Sequence, residues 1–171
     1  MLDWSEILLR LGIAALAGGA LGLNRDLHGK PVGLRTLSLV SLATAMVMVL
    51  ADPLRDGGFT DAGSRIVQGI LTGIGFLGAG VIFHAEKHFR IHGLTSAACT
   101  WLTACIGIMC GAGQWRIVAV ALAITFVVLL VGGPVERRLH RVLGGKPDRD
   151  LPLPLPAADQ SSEAGPHQPG R

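Results

Sequence analysis

The chain is poor in charged residues, in tyrosine and in cysteine. Asp, Glu, Lys and Arg make up 16% of its 171 residues, and tyrosine is absent, whereas soluble domains usually carry about 25% charged residues. The three cysteines, Cys99, Cys105 and Cys110, fall in one apolar stretch without a CxxC pair. Their number and spacing predict buried thiols and indicate neither a disulfide framework nor a zinc site.

Five apolar runs fill most of the sequence. They cover residues 7–23, 34–51, 66–83, 94–111 and 116–133, and each has about 17 to 18 residues, close to the minimum that crosses a hydrocarbon core about 30 Å thick. Glycine is frequent, with 24 residues, as in membrane helices that pack closely. The acidic start predicts a retained first helix rather than a signal peptide. The sequence therefore predicts an all-α membrane protein, a bundle of about five transmembrane helices.

The distribution of Lys and Arg predicts the orientation of these helices. Both residues are concentrated in the first and third connections and after the fifth run, which places the N-terminus outside and the C-terminus in the cytoplasm. The fourth run carries Thr95, Ser96, Thr100 and Thr103, so a re-entrant element is the alternative for this segment. We expect a transmembrane domain over residues 1–135 and a cytoplasmic basic segment with a disordered, proline-rich tail over residues 136–171.

A charged segment, residues 24–36, joins the first two runs. Arg35 and Thr36 open the second helix, where a cation is unfavourable for the helix dipole. Arg35 is therefore expected to meet an anionic partner or lipid phosphates, or to be a positive-inside anchor that reaches the headgroups. Arg25, Arg35 and Thr36 are expected to anchor the cytoplasmic face.

Asp61 and Arg65 stand four residues apart just before the third run, the spacing of neighbours on one helix face. We expect them to pair at the outer face. One interpretation is a capping pair, since Asp61 is favourable near a helix N-terminus. The other is an ion-pair gate or a cation-sensing carboxylate.

The third run is rich in glycine. Gly73, Gly75 and Gly78 match GxGxxG, but no hydrophilic βαβ context surrounds them and residues 87–133 contain no Asp or Glu, so no dinucleotide site is predicted. Close helix packing explains the pattern better, because Gly69 and Gly73 are four apart. We expect residues 73–80, including Gly80, to pack the third helix at the centre of the bundle, with Ala15 and Gly19 of the first helix as candidates for the facing surface.

No catalytic or cofactor site is predicted. Histidines 84, 88 and 92 repeat every four residues, but a short loop ending in glycine makes a continuous helix, and hence a metal site, a weak alternative. No Ser/His/Asp or Cys/His arrangement falls on a common site. The modest net charge of +3 and the separated basic residues predict no nucleic-acid partner.

Four motifs resemble one family in order and spacing. They are GLNRD from Gly22, KPVGLRT from Lys30, IGFLGAGVI from Ile74, and GLTSAA, which begins with Gly93 and Leu94 and contains Thr95. This combination is similar to the MgtC/SapB family of bacterial inner-membrane proteins, and the resemblance covers roughly residues 5 to 135.

The resemblance implies about five helices, a cytoplasmic C-terminus and no enzymatic activity. It also implies an association with magnesium limitation, acid or phagosomal stress and virulence, through modulation of membrane energetics or of other transport proteins. Many members have Glu where Asn24 stands, and virulence-type members have Cys directly after the tryptophan, where Leu102 follows Trp101. Those members also carry a C-terminal ACT-like domain, so we expect a short, membrane-only member.

The expected function is therefore that of a non-enzymatic inner-membrane protein linked to magnesium homeostasis and to low-magnesium or acid stress. A small magnesium transporter or channel is the alternative, motivated by the charged helix boundaries and the hydroxyl-rich fourth run. The expected partners are the lipid bilayer and either a second copy or another membrane protein, such as a transporter or the ATP synthase membrane sector.

Overall fold

A computed structural model describes residues 2–51, 61–83 and 93–142. The described residues form five helices and no strand: α1 (Trp4–Leu27), α2 (Leu34–Ala51), α3 (Asp61–Phe83), α4 (Leu94–Gly111) and α5 (Trp115–Val142). Each helix contains a stretch long and apolar enough to cross a membrane. The predicted all-α membrane fold with five spans is confirmed, and the orientation of the termini stays a prediction.

The predicted bounds of α2 and α4 agree with the structure at both ends. The helices α1, α3 and α5 are longer than their apolar runs, because helical hydrogen bonding continues past the hydrocarbon core wherever the polar flanks allow it. α3 begins at Asp61, whose carboxylate is favourable in a first turn. α5 continues through Pro134, which the sequence predicts as lying beyond the helix. The predicted division at residue 135 stays a prediction.

The core is built from α1, α2 and α4, with α4 also packed against α3. Its centre is a cluster of buried apolar side chains: Ala14, Ala17, Leu21, Leu37, Ala45, Ile106, Cys110 and Val118. More than half of the α4 span is buried, whereas only 6% of the α3 span is, and the rest of that span is half-buried or exposed. The helix α4, which like α2 carries four hydroxyl side chains, is therefore the central one, and it forms one continuous helix and not a re-entrant hairpin.

Four glycines let the core helices approach closely. A Cβ added to Gly18 would lie 2.5 Å from the Leu37 carbonyl oxygen, and one added to Gly22 would lie 2.5 Å from the Leu34 Cα. On α4, a Cβ at Gly107 would collide with the Thr44 hydroxyl, and one at Gly111 would lie 2.6 Å from the Ala45 carbonyl oxygen. Both pairs have the four-residue spacing of membrane helix contacts. α2 is therefore held between glycine faces of α1 and α4.

The predicted packing of the α3 glycines at the centre of the bundle is wrong. A Cβ added to Gly69, Gly73, Gly75 or Gly80 would meet nothing within 4 Å, and one at Gly78 would make only an ordinary contact, 3.7 Å from the Ala97 Cβ. The α3 helix contacts α4 and α2 with its other side. Gly19 faces Ser38 of α2 instead of α3. The close packing that the sequence predicted for the α3 glycines is instead made by glycines of α1 and α4.

The chain divides into one compact unit from Met1 to Gly133 and a second that begins at Pro134. Within the first unit, α5 contributes Val118 to the core and presents apolar side chains such as Val120 and Ile124 outward, each 59% exposed. In a lipid environment such exposure is the ordinary state of an outer helix face.

Candidate functional site

Three helix ends meet at one end of the bundle: the carboxyl end of α1 and the amino ends of α2 and α4. The helix α1 ends in a Schellman motif, in which the Lys30 N–H donates to the Arg25 carbonyl at 3.1 Å and the Gly29 N–H to the Asp26 carbonyl at 3.0 Å. Gly29 adopts the left-handed conformation that this motif requires, with φ 60°. The last turn of α1 thereby holds Arg25 and Asp26 beside two helix amino ends.

Asp26 caps the amino end of α2. The Leu34 N–H donates to its carboxylate at 2.9 Å, a role usually filled by the residue before the helix, which here is Gly33. A Cβ at Gly33 would collide with the Asp26 carboxylate, so the glycine leaves room for it. A carboxylate at this position is favourable for the helix dipole.

Arg25 lies inside the bundle, where it is 4% exposed. Its guanidinium donates to the Ser96 hydroxyl and lies 3.6 Å from the Cys99 sulfur, while its Nε is buried without a partner. No carboxylate pairs with it in the described part of the chain. The predicted anchoring of the cytoplasmic face by Arg25 is wrong, because the small polar residues of α4 draw the side chain inward.

The amino end of α4 has no side-chain cap. Gly93 precedes the helix with φ 94°, and a Cβ there would lie 2.9 Å from the Val81 carbonyl oxygen of α3. Glycine is thus required both by its conformation and by this close approach. Leu94 and Thr95 are exposed in the first turn, whose N–H groups have no partner within the helix. The unpaired cation of Arg25 therefore sits at the positive end of the α4 dipole.

The opposite end of α4 is stabilised by a second arginine of α1. Arg10 donates from Nη1 to the Gly111 carbonyl at 2.7 Å and from Nε to the Glu6 carboxylate at 3.1 Å. It also forms an ion pair with Glu6. A cation that binds the last carbonyls of a helix is favourable for the dipole. Nearby, the Ser5 hydroxyl donates to the Asp3 carboxylate at 2.5 Å and lowers the pKa of Asp3 below its usual value.

One face of α3 meets no neighbour among the residues that the structure describes. Gly69, Gly73, Phe76 and Gly80 follow one another at intervals of four, three and four residues, so they share one helix face. Phe76 is 82% exposed, and its flanking glycines leave shallow gaps beside the ring. We call these four residues the open face of α3.

The other predicted site residues lie apart from one another. Arg35 and Thr36 are exposed at the amino end of α2, and Asn24 is half-buried one residue before Arg25. Asp61 and Arg65 are both exposed and form no ion pair with each other, so the predicted pairing is wrong. Exposed pairs at this spacing gain little, since solvent screens both charges.

Three buried threonine hydroxyls of the core donate to carbonyls of their own helices, whereas the Ser41 hydroxyl is buried without a partner among the described residues. Thr44 donates to the Val40 and Ser41 carbonyls of α2 at 3.1 and 3.0 Å. In α4, the Thr100 and Thr103 hydroxyls donate to the carbonyls four residues earlier, at 2.9 and 2.7 Å. This pattern satisfies the hydroxyl hydrogens inside an apolar bundle.

No group of three or more His, Cys, Asp or Glu side chains is arranged for a metal ion within residues 2–51, 61–83 and 93–142. Histidines 84, 88 and 92 lie outside the described residues.

Two contacts made by the adjacent residues Arg25 and Asp26 at the end of α1 were not predicted from the sequence. Asp26 is the cap of α2, and Ser96 and Cys99 receive Arg25. The Asp26 cap could have been predicted, because Gly33 before α2 has no capping side chain and Asp26 is a nearby upstream carboxylate. The packed glycines 18, 22, 107 and 111 were not predicted either, although their four-residue spacing equals that of Gly69 and Gly73.

Comparison with known proteins adds the family and its relatives. The model of the MgtC family matches residues 11–138. Protein SrpB of Synechococcus elongatus is 39% identical over 136 residues, which cover 74% of this chain and 75% of SrpB. "Putative magnesium transporter YhiD" of Escherichia coli K12 is 37% identical over 144 residues, 79% of this chain and 64% of YhiD.

Protein MgtC of Brucella suis is 36% identical over 127 residues, which cover 74% of this chain and 51% of MgtC. The chain thus spans about half of that relative's length and less than two thirds of YhiD. No solved structure matches the chain.

Proposed function

This chain belongs to the MgtC family, and we propose that it is a non-enzymatic inner-membrane protein of magnesium homeostasis that acts on a partner membrane protein. The chain is a multi-pass inner-membrane protein, as members of this family are. The name of YhiD refers to magnesium transport, which supports a magnesium-related role here. A response to low magnesium or acid stress, as implied for virulence-associated relatives, belongs to the same proposal.

The open face of α3 carries this proposal. Small residues allow membrane helices to approach closely, and this chain uses glycine in that way between α1, α2 and α4. On the open face of α3, Gly69, Gly73 and Gly80 have no such packing partner in the part of the chain that the structure describes. We assign this face to a helix of a transport protein, which would pack into the gaps beside Phe76.

A cation path through the bundle is the second candidate, and the described interior gives it less support. A magnesium ion requires oxygen ligands, usually with carboxylates, and polar groups inside a membrane protein often mark its path. The buried charge in the described core is the cation Arg25, which repels Mg²⁺. The buried threonine hydroxyls bond to backbone carbonyls.

Growth of a strain that lacks the gene tests the proposal. Without the protein, growth should fail only in the micromolar magnesium range, and plasmid-borne wild type should restore it. The acid-stress part is tested in the same strains at low pH with ample magnesium. Equal growth of the deletion and wild-type strains at every magnesium concentration would refute the proposed function.

Flux measurements separate the two candidates. Purified protein in liposomes loaded with a magnesium-sensitive dye should show no Mg²⁺ uptake above that of empty liposomes, with a known magnesium channel as positive control. Uptake that scales with the amount of protein would establish the transporter alternative and refute action through a partner.

A further inference from the structure

The helix α1 places one arginine at each end of α4, and the two arginines have opposite electrostatic surroundings. Arg10 meets the carbonyl end, which is negative, and shares its charge with Glu6. Arg25 meets the amino end, which is positive, and has hydroxyl and thiol partners only. Helix dipoles favour cations at the carboxyl end and anions at the amino end. Arg10 therefore has a favourable partner on both sides, while Arg25 has no negative partner among residues 2–51, 61–83 and 93–142.

Burial makes the lack of an anion at Arg25 costly. A buried charge needs a paired and hydrogen-bonded environment, yet the Nε of Arg25 has no acceptor. The nearest carboxylate in sequence, Asp26, is committed to the Leu34 N–H at the amino end of α2. The neutral contacts to Ser96 and Cys99 orient the guanidinium without neutralising it.

The first turn of α4 supplies further donors beside this cation. Gly93 offers no capping side chain, Leu94 and Thr95 are exposed, and the first N–H groups of a helix have no partner within it. Ser96 links the turn to Arg25 through its hydroxyl. Backbone N–H groups at a helix amino end together with an arginine form a recurrent site for oxyanions.

We propose that Arg25 and the first turn of α4 bind an oxyanion of the phosphate class. The N–H groups of Leu94 and Thr95 donate to its oxygens, and the guanidinium turns from its weak contact with Cys99 to complete the pairing. A phosphate group carries up to two negative charges and several acceptor oxygens, which matches a set of donors around one cation. The phosphate comes from a lipid headgroup or from free phosphate. This site is independent of the open face of α3.

Thermal stability of the purified protein in maltoside micelles, which contain no phosphate group, tests this site. Inorganic phosphate or chloride is added to the micelles at equal ionic strength, or phosphatidic acid is mixed into them. A ligand that binds the native state raises the melting temperature by mass action. We expect a rise of several degrees with inorganic phosphate if the source is free phosphate, and with phosphatidic acid alone if it is a lipid.

Two variants assign the response to the site. Arg25→Met should lose the rise, whereas Arg35→Met, which removes an exposed arginine at the start of α2, should keep at least half of it. If Arg25→Met does not fold, Arg25→Lys serves instead: it keeps the charge but lacks the planar set of donors, and should reduce the rise at least twofold. An equal rise in the Arg25 and Arg35 variants would overturn the proposal.

The wild-type protein alone also gives a decisive result. No rise with either inorganic phosphate or phosphatidic acid would overturn the proposal whatever the variants do.

Discussion

Glycine has opposite surroundings in the two halves of this bundle. Between α1, α2 and α4, added side-chain atoms would lie 2.5 to 2.6 Å from backbone atoms at Gly18, Gly22 and Gly111. On α3 they would meet nothing at Gly69, Gly73 or Gly80. The fold requires glycine between α1, α2 and α4, because a larger residue there would collide with a neighbouring helix. It does not require glycine at the three α3 positions. Glycine lowers helix propensity, so a set that the fold does not need points to a contact outside the chain.

Filling a packed glycine should have the largest effect on stability. We expect Gly107→Ala to lower the free energy of unfolding by about 1–3 kcal/mol, because the new methyl group collides with Thr44 and overpacks the interface of α2 and α4. Reversible unfolding in mixed micelles measures this difference. Gly73→Ala is the matched control on α3 and should raise the free energy of unfolding by up to about 1 kcal/mol, because alanine has the higher helix propensity and its methyl group meets nothing. Equal losses in both variants would abolish the distinction between the two halves.

Gly93 lies between the two regions, since it is the residue before α4 and packs closely against Val81 of α3. Gly93→Ala should cost about 1–2 kcal/mol, because an L-residue is strained at φ 94° and its Cβ would approach the Val81 carbonyl oxygen. The same unfolding measurement applies, with Gly12→Ala as the control at an open helical position. A loss no greater than that of the control would show that α3 does not constrain the start of α4.

The carboxylates at the amino ends of α2 and α3 should differ less in their effect on stability. Asp26→Ala should lower the free energy of unfolding by about 1 kcal/mol, since the Leu34 N–H loses its acceptor. Asp61→Ala removes an exposed carboxylate from the first turn of α3 and should cost less, about 0.3 kcal/mol. Unfolding of both variants in parallel checks the order. A larger loss for Asp61 would mean that α3 is the more tightly held helix.

The sequence predicts the number and class of the helices well, because hydropathy over a span depends on composition alone. The bounds of α2 and α4 agree at both ends, since a glycine precedes each of them and a change in composition follows. Hydropathy and composition did not predict that α5 continues through Pro134. A proline in a membrane helix is tolerated when its surroundings satisfy the freed carbonyl, and the sequence does not contain that information.

The direction of each helix face could not be predicted. Gly18 and Gly22 have the same spacing as Gly69 and Gly73, so spacing shows that a helix has a glycine face without showing what covers it. Arg25 presents the same problem, because an arginine near a helix end usually reaches the headgroups. Its inward direction depends on Ser96 and Cys99, more than 70 residues away along the chain.

The functional meaning of the open face is tested most directly by one pair of variants. Gly73→Leu fills the face at a position where an added Cβ would meet nothing within 4 Å, and Gly12→Leu adds the same side chain at another such position, on α1. Both are produced in the deletion strain at equal membrane levels, and growth is measured in micromolar magnesium. We predict that Gly73→Leu fails to restore growth while Gly12→Leu restores it fully. Full restoration by Gly73→Leu at normal protein levels would contradict action through the open face of α3.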